Sequence, residues 1–374
     1  MNFELTEDQQ LVSDSIERFV QDNYDLESRV ALVKQTPGFS EAHWKTMSEL
    51  GWFGLPFSED DGGFGGNQLD TMILMEHFGK GLVLEPFLAS IVLGGGVLKR
   101  VGTEAQRKAW LEPVIDGSKQ LALAYSEPES GFEPHNVSVA GTKNGDGFTI
   151  TGTKCMVQHG ATADALVVSF RTSGGTVDQS GITLALIPSD RKGVTVQGFP
   201  TVDGLQSSEI AFDKVEVSAE DILGEVDGGF APLNATINDG ILAISAEAVG
   251  AMEVLYKDTV AYTQEREQFD HPLADFQVLQ HRMVEMFMEH EQCKSLLFRA
   301  TMEVANGGDD AQRNIHALKH LIGKAAFFVG ENAVQTHGGM GVTEELRIGH
   351  YFKRLLVIEA QFGNTDYHLD QFAA

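Results

Sequence analysis

Cysteine is nearly missing from this 374-residue chain. Cys155 and Cys293 are its only two, far apart and outside any C-x-x-C spacing. That argues against a disulfide framework or a cysteine zinc site, and makes the reducing cytoplasm the expected compartment. Basic charge is also scarce: 27 Lys and Arg stand against 54 Asp and Glu, for a net charge of −27. Such a field repels phosphate backbones and anionic lipid, and no basic run offsets it, so neither nucleic acid nor membrane is an expected partner. No uninterrupted apolar stretch approaches the ~18 residues of a membrane span, and the opening MNFELTEDQQ lacks the basic start and apolar core of a signal peptide. Also absent are G-x-G-x-x-G after a strand, G-x-x-x-x-G-K-[ST], H-E-x-x-H and G-x-S-x-G. Nicotinamide-Rossmann, P-loop, zincin and hydrolase-elbow chemistries thereby lose their main support.

What is present divides into three textures. Hydrophobic residues at 42% and charged residues at 22% give an ordinary globular balance, and the length suits two or three domains. From Thr6 to about Ile115 the pattern is helical, with apolar stripes at Leu11, Ile16, Phe19 and Val20 and at Trp44, Met47, Leu50 and Phe53. Thr6 and Gln9 have the spacing of a capping box. From about Gln120 to Gly224, short alternating runs recur between Gly, Asn, Asp and Ser clusters: 147–151, 165–168, 182–187, 194–196 and 209–212. They predict a β-sandwich or barrel. After Gly228-Gly229, Ile237, Ile241, Ile244, Ala248, Met252 and Leu255 step by three or four. Further helices are expected from Phe276 to Ala305 and from Asn314 to Gln335, which argues for an antiparallel bundle. The expected domains are 1–118, helical; 119–228, β; and 229–374, a four-helix bundle.

Several segments carry polar chemistry. Gly54-Leu55-Pro56 and Glu59-Asp60-Asp61-Gly62-Gly63 form a glycine-dense loop that reads, alone, as a turn. Tyr125-Ser126-Glu127-Pro128-Glu129-Ser130-Gly131 offers hydroxyls and amides suited to a polar heterocycle. Gln335-Thr336-His337-Gly338-Gly339-Met340-Gly341 follows a helix, and its glycines permit amides to approach a pyrophosphate. Arg266, with Phe269 and Gln277 beyond it, offers a guanidinium for phosphate or an adenine face. His316 and His320 are an i,i+4 pair without an accompanying carboxylate motif; they read as packed or solvated rather than as metal ligands, and no metal is expected.

Taken in this order and spacing, these segments resemble the acyl-CoA dehydrogenase superfamily over essentially the whole chain. Ala246-Glu247-Ala248-Val249-Gly250, His350-Tyr351-Phe352-Lys353-Arg354 and the tail from Phe362 resemble more closely the small-subunit branch typified by pimeloyl-CoA dehydrogenase. The resemblance implies non-covalent FAD, an acyl-CoA substrate, and a homo-oligomer built as a dimer of dimers. It places Tyr125, Ser126, Met156 and Gln158 beside the flavin ring, and Ser130 and Gly131 toward the thioester. It gives Arg266, Phe269, Gln277, Gln335, Gly338 and Gly339 to the adenine and diphosphate of an FAD seated mainly on a neighbouring subunit.

The family pattern also exposes departures. A Trp-x-Thr that covers the flavin is replaced by Met156 and Gln158 in Lys154-Cys155-Met156-Val157-Gln158-His159. The Tyr-Glu-Gly-Thr that carries the catalytic glutamate reads Phe362-Gly363-Asn364-Thr365. The alternative glutamate position, on the first bundle helix, falls on Gly240. Asp239 is a neighbour rotated ~100° around the helix, and Asp366 is a second carboxylate nearby in sequence. A positioned base is typically worth ~10²–10⁴ in rate, so the catalytic residue is left open. Three functions follow as alternatives: α,β-dehydrogenation with a base from a related partner subunit in a hetero-oligomer, flavin-dependent oxygenation or oxidation of a CoA thioester, and a non-catalytic structural homologue.

Overall fold

The computed structural model describes residues 5–374. In chain order come α1 (Glu7–Asn23), α2 (Leu26–Val33), α3 (Glu41–Glu49) and α4 (Gln68–Gly81). The short helices α5 (Gly96–Val101), α6 (Glu104–Gln106) and α7 (Glu112–Ile115) follow, with π-helical turns at Leu88–Gly95 and Arg107–Leu111. The strands are β1 (Leu121–Ala124), β2 (Ala140–Asn144), β3 (Gly147–Lys154), β4 (Ala165–Arg171), β5 (Ile182–Pro188), β6 (Val194–Pro200), β7 (Gln206–Val217) and β8 (Ile222–Leu223). Helix α8 (Phe230–Glu265) leads into a small hairpin, β9 (Glu267–Gln268) and β10 (His271–Pro272). The chain ends with α9 (Gln277–Ala305), α10 (Ala311–His337), α11 (Arg347–Ala360) and α12 (Thr365–Ala373).

Packing gathers these elements into two compact units. One comprises the described part of Met1–Lys34 together with Asn67–Val83 and Ile241–Ala374; the other comprises Gln35–Gly66 and Leu84–Gly240. The N-terminal helical stretch is therefore shared: α1, α2 and α4 belong to the first unit, α3 and residues 84–118 to the second.

In the first unit, α1 begins with the expected capping box, the Thr6 hydroxyl accepting from Gln9 N and the Gln9 side chain accepting from Thr6 N. Helix α4 meets α8 backbone to backbone. A Cβ on Gly79 would stand 1.9 Å from Glu247 O, and a Cβ on Gly250 would stand 1.9 Å from Glu76 O. Glycine at both positions is what permits the crossing. Beside it, buried Arg354 of α11 clasps buried Glu247 with two bonds of 2.6 and 2.7 Å. The pairings of Tyr256 with Phe287 and His290 and of Thr263 with Met283 run α8 antiparallel to α9, and α10 packs on α9, α11 and α12.

In the second unit the strands join in the order β6-β7-β3-β2-β4-β5-β8, with β1 added parallel to β4. β3 and β7 run antiparallel with a bulge between Ile150 and Gly152. Alternating inward residues such as Ile150, Leu166, Val168, Ile187, Ile210 and Phe212 close the sheet's core. The segment leaving β1 and the segment leaving β3 emerge from this sheet, and they carry the middle-domain candidates.

Candidate cofactor and substrate site

In the first unit, the last turn of α8 and the last turn of α10 are joined by the rings of Tyr262 and His337, stacked at 4.3 Å. His337 Nδ1 donates to Ala333 O at 2.8 Å, and burial holds this imidazole below its ordinary pKa, so the neutral ring packs as an aromatic. The stack brings the hairpin after α8 beside the turn after α10. At the hairpin tip, Phe269 and Asp270 both take left-handed backbone, φ +60° and +64°, as a two-residue type I′ connection requires. An aromatic residue there is strained. Phe269 is held edge-on by Phe276, 6.2 Å away, and is nevertheless 84% exposed. Arg266 is exposed at the base of the same hairpin, its N–H bonded to Tyr262 O.

Gln335 is exposed in the last turn of α10, and the helix closes into a 3₁₀ turn, Gly338–Val342. Gly338 has φ +61° and ψ −138°, open only to glycine. A Cβ at Gly338 or at Gly339 would meet no described atom within 4 Å. Gln277 opens α9, whose N-terminus receives no side-chain cap. An exposed guanidinium, a presented aromatic ring, an amide-bearing turn with room around it and an uncapped helix start suit a dinucleotide's phosphates and base.

In the second unit, Tyr125 and Ser126 are half-buried, and Cys155 N donates to Ser126 O at 2.9 Å. Ser130 is buried, and its hydroxyl serves its own turn, accepting from Glu127 N (3.1 Å) and donating to Glu127 O (2.9 Å). What this segment presents outward is the backbone at Gly131, φ +59°, where a Cβ would meet no described atom within 4 Å. After β3, Val157 N and His159 N bond to Ser208 O and Gln206 O of β7. Of the intervening residues, Met156 is 56% exposed and Gln158 half-buried.

Beneath these segments lies a buried ion pair absent from the expected site. Lys154 Nζ donates to Tyr125 O (3.0 Å), Glu127 Oε1 (2.7 Å) and Ser169 Oγ (3.0 Å). Burial draws the Lys154 ammonium down to about 8 against the pull of Glu127. Burial alone would raise the Glu127 carboxyl, but Lys154 and Ser138 carry it below the ordinary value. Glu127 was visible within Tyr-Ser-Glu-Pro, and Lys154 heads the 154–159 stretch; only their meeting, 27 residues apart, escaped a linear reading. Arg171 was also missed. It spends its guanidinium on five carbonyls, those of His135, Thr176, Val137, Asp178 and Ser180.

The positions expected for a base are differently furnished. Gly240 is buried, and Asp239 is held by Arg100 Nη2 at 2.5 Å within the second unit. Gly363 is buried with φ +114°, and a Cβ on it would stand 2.5 Å from Tyr367 Cδ1 and 2.7 Å from His368 Nε2. The surrounding turn is held at several points. Lys319 Nζ donates to Glu359 O (2.8 Å) and Gly363 O (2.7 Å), His368 Nε2 donates to Phe362 O (3.1 Å), and Glu359 Oε1 accepts from Thr365 N and Oγ1. Burial draws Lys319 down to about 7 although Glu359 opposes it, and burial with Lys319 nearby takes His368 down to about 3. Asp366 is exposed in the first turn of α12.

His316 and His320 turn to different partners. His316 Nδ1 meets His368 Nδ1 at 2.9 Å, whereas His320 Nδ1 donates to Thr365 O at 3.0 Å. Among the described residues no group of three His, Cys, Asp or Glu is arranged to hold a metal ion. The glycine-dense loop at 54–66 is a turn, with Asp61 bonded to Arg107 at 2.7 Å and to Ser58 Oγ at 2.7 Å. No helix among the described residues is long and apolar enough to cross a membrane.

The helical–β–helical order of the chain, with an amide-rich turn and an exposed guanidinium, fits a dinucleotide-binding protein. The acyl-CoA dehydrogenase family models match 6–118 (N-terminal domain), 122–215 (middle domain) and 227–374 (C-terminal domain), and the chain belongs to that family. It is 28% identical over 371 residues to the probable acyl-CoA dehydrogenase YngJ of Bacillus subtilis (strain 168), covering 98% of this chain and 97% of that one. The structure of butyryl-CoA dehydrogenase from Megasphaera elsdenii superposes with a TM-score of 0.91 at 26% identity, covering 100% and 99% of the two chains. An FAD complex of PigA gives 0.92 at 26% identity, covering 100% and 98%. The protein is thus an FAD-dependent oxidoreductase of the acyl-CoA dehydrogenase type, acting on acyl-CoA.

Proposed function

We propose that this chain oxidises the Cα–Cβ bond of an acyl-CoA thioester in a complex where the α-proton is accepted by a group outside its own two family base positions. The observation that carries this reading is the turn at Gly363: any side chain there would run into Tyr367 and His368. Asp239, the nearest carboxylate to the alternative position, is engaged by Arg100. A related subunit carrying the glutamate fits these two facts.

Bound FAD supplies the acceptor for the hydride leaving the β-carbon. Arg266, Gln277, Gln335, Gly338 and Gly339 hold the diphosphate and adenosine end through one fixed cation and neutral donors, with Phe269 against the adenine. Tyr125, Ser126, Met156 and Gln158 line the ring end. The backbone at Gly131, with Ser130 shaping its turn, orients the thioester. Assembly is as an oligomer in which the hairpin and glycine turn of one protomer serve a neighbour's FAD.

The test is anaerobic and aerobic mixing of the purified protein with a panel of CoA thioesters, alone and with a glutamate-bearing homologous subunit, followed by product mass. Loss of two hydrogens only in the mixed complex is expected. Full desaturation by the chain alone would overturn the reading. Met156, exposed where the family carries a flavin-covering tryptophan, favours a second outcome: gain of oxygen under air, which assigns the oxygenase reading instead.

A further inference from the structure

We propose that the buried Lys154–Glu127 pair is the positioning element for both segments that face the flavin ring, 125–131 and 155–158. This rests on the ring-end assignment of the proposed function and adds the device that sets its geometry.

Three structural parts meet at one amine. Lys154 ends β3 and begins the second segment; its three protons go to Tyr125 O in the first segment, to Glu127 Oε1 and to Ser169 Oγ on β4. The count matches an ammonium, which has three donors and no acceptor. Glu127 extends the anchor past the turn: Oε2 accepts from Ser138 N at 2.8 Å and from the Ser138 hydroxyl, and Val139 N reaches the carboxylate at 3.2 Å. The first segment is therefore fastened at Tyr125 and Glu127 from below and at Ser126 by Cys155 N from the side. The titratable groups facing Lys154 are Glu127, Cys155 next in the chain and Arg171 at the end of β4.

A buried ion pair is weak evidence for stability, because desolvation offsets most of its attraction. What charge provides here and a hydrophobic pair cannot is direction: a carbonyl, a carboxylate and a hydroxyl are held at fixed angles around one atom. The backbone carrying the ring-facing groups inherits that geometry. Neither residue touches the ring in this assignment; each acts through the loop it holds.

The experiment compares the parent protein with Lys154→Met/Glu127→Gln and with Glu127→Gln, each reconstituted with FAD. Thermal melting establishes folding, and the double variant removes both charges together so that no lone charge is left buried. Readouts are the flavin absorption envelope, the FAD dissociation constant and the flavin midpoint potential measured with a reference dye. The double variant is expected to melt within a few degrees of the parent and to bind FAD about tenfold more weakly, whereas Glu127→Gln, which leaves the Lys154 ammonium buried without its counter-ion, melts lower; both show a displaced flavin envelope and potential. A folded variant whose envelope, potential and affinity match the parent's overturns the proposal and leaves the functional reading standing. A parent that takes up no FAD overturns both.

Discussion

Two glycine-bearing turns in the same helical unit have opposite characters. At 338–339 the glycines face space, and a methyl group added to either would touch nothing described within 4 Å. At 361–364 the glycine is enclosed: a methyl group would collide with two rings, and the carbonyls on either side are captured by Lys319 and His368. In a sequence both read as loop glycines following a helix. One glycine leaves room for something the chain does not supply, and the other is there because its neighbours have taken the room. Under the proposed function, the position given to the catalytic glutamate lies in a turn whose space the rings of Tyr367 and His368 already fill.

Substitutions sharpen this contrast, and the largest effect belongs to the enclosed turn. Gly363→Glu is expected to lower stability by roughly 3 kcal/mol, through overpacking and a left-handed backbone that a side chain rarely adopts. It should produce no desaturation with any thioester of the panel. Urea unfolding with product analysis checks this, and parent-like stability with new activity would break the comparison.

Lys319→Met comes next. It strips two buried carbonyls of their donor, for an expected loss of about 2 kcal/mol. Its pH signature has a definite sign. The folded-state value is about 7 against an unfolded value of 10.5, so between them the unfolded chain holds more protons and stability rises with pH. The rise is at most about 1.4 kcal/mol per pH unit. Lys154 adds a similar rise only above about 8, so denaturation at pH 7 and pH 8 isolates the Lys319 part, which the variant should lack.

Asn364→Ala removes the N-cap of α12, where the side chain accepts from Tyr367 N at 2.9 Å. About 1 kcal/mol is expected from thermal unfolding. Gly339→Ala in the open turn should move stability by less than about 0.5 kcal/mol. Its effect should appear instead as a roughly tenfold rise in the FAD dissociation constant, read by flavin fluorescence.

Much of the fold could be read linearly because its causes are local. The Thr6–Gln9 capping box depends on a spacing of three. The runs at 165–168 and 182–187 mark β4 and β5, and the stepping of Ile237, Ile241, Ile244 and Ala248 marks the buried face of α8. The π-helical turns at 88–95 and 107–111 have no such signature. The assignment of α4 to a different unit from α3 is set by a contact between residues ~170 positions apart, Gly79 with Glu247 and Gly250 with Glu76.

At the site, residue types at Arg266, Gln335, Gly338 and Gly339 announced what they offer, because an exposed cation and glycine amides need no partner to be recognised. Partnership itself was hidden. The resemblance placed Ser130 toward the thioester; the sequence did not show that its hydroxyl also closes the turn begun by Glu127. Asp239 read as a spare carboxylate, but Arg100, 139 positions away, holds it. Lys154, Glu127 and Lys319 are charged residues that any linear reading assigns to solvent.

The glycine contact between α4 and α8 also governs how the polypeptide can be cut. The chain changes unit at 34/35, 66/67, 83/84 and 240/241, so neither unit is one continuous stretch of sequence. A fragment starting at residue 241 would carry the groove around Gly250 without the helix that fills it, and would expose the surface that α4 normally covers. Splitting this protein into halves for expression therefore calls for producing both pieces together, with residues 67–83 supplied in trans.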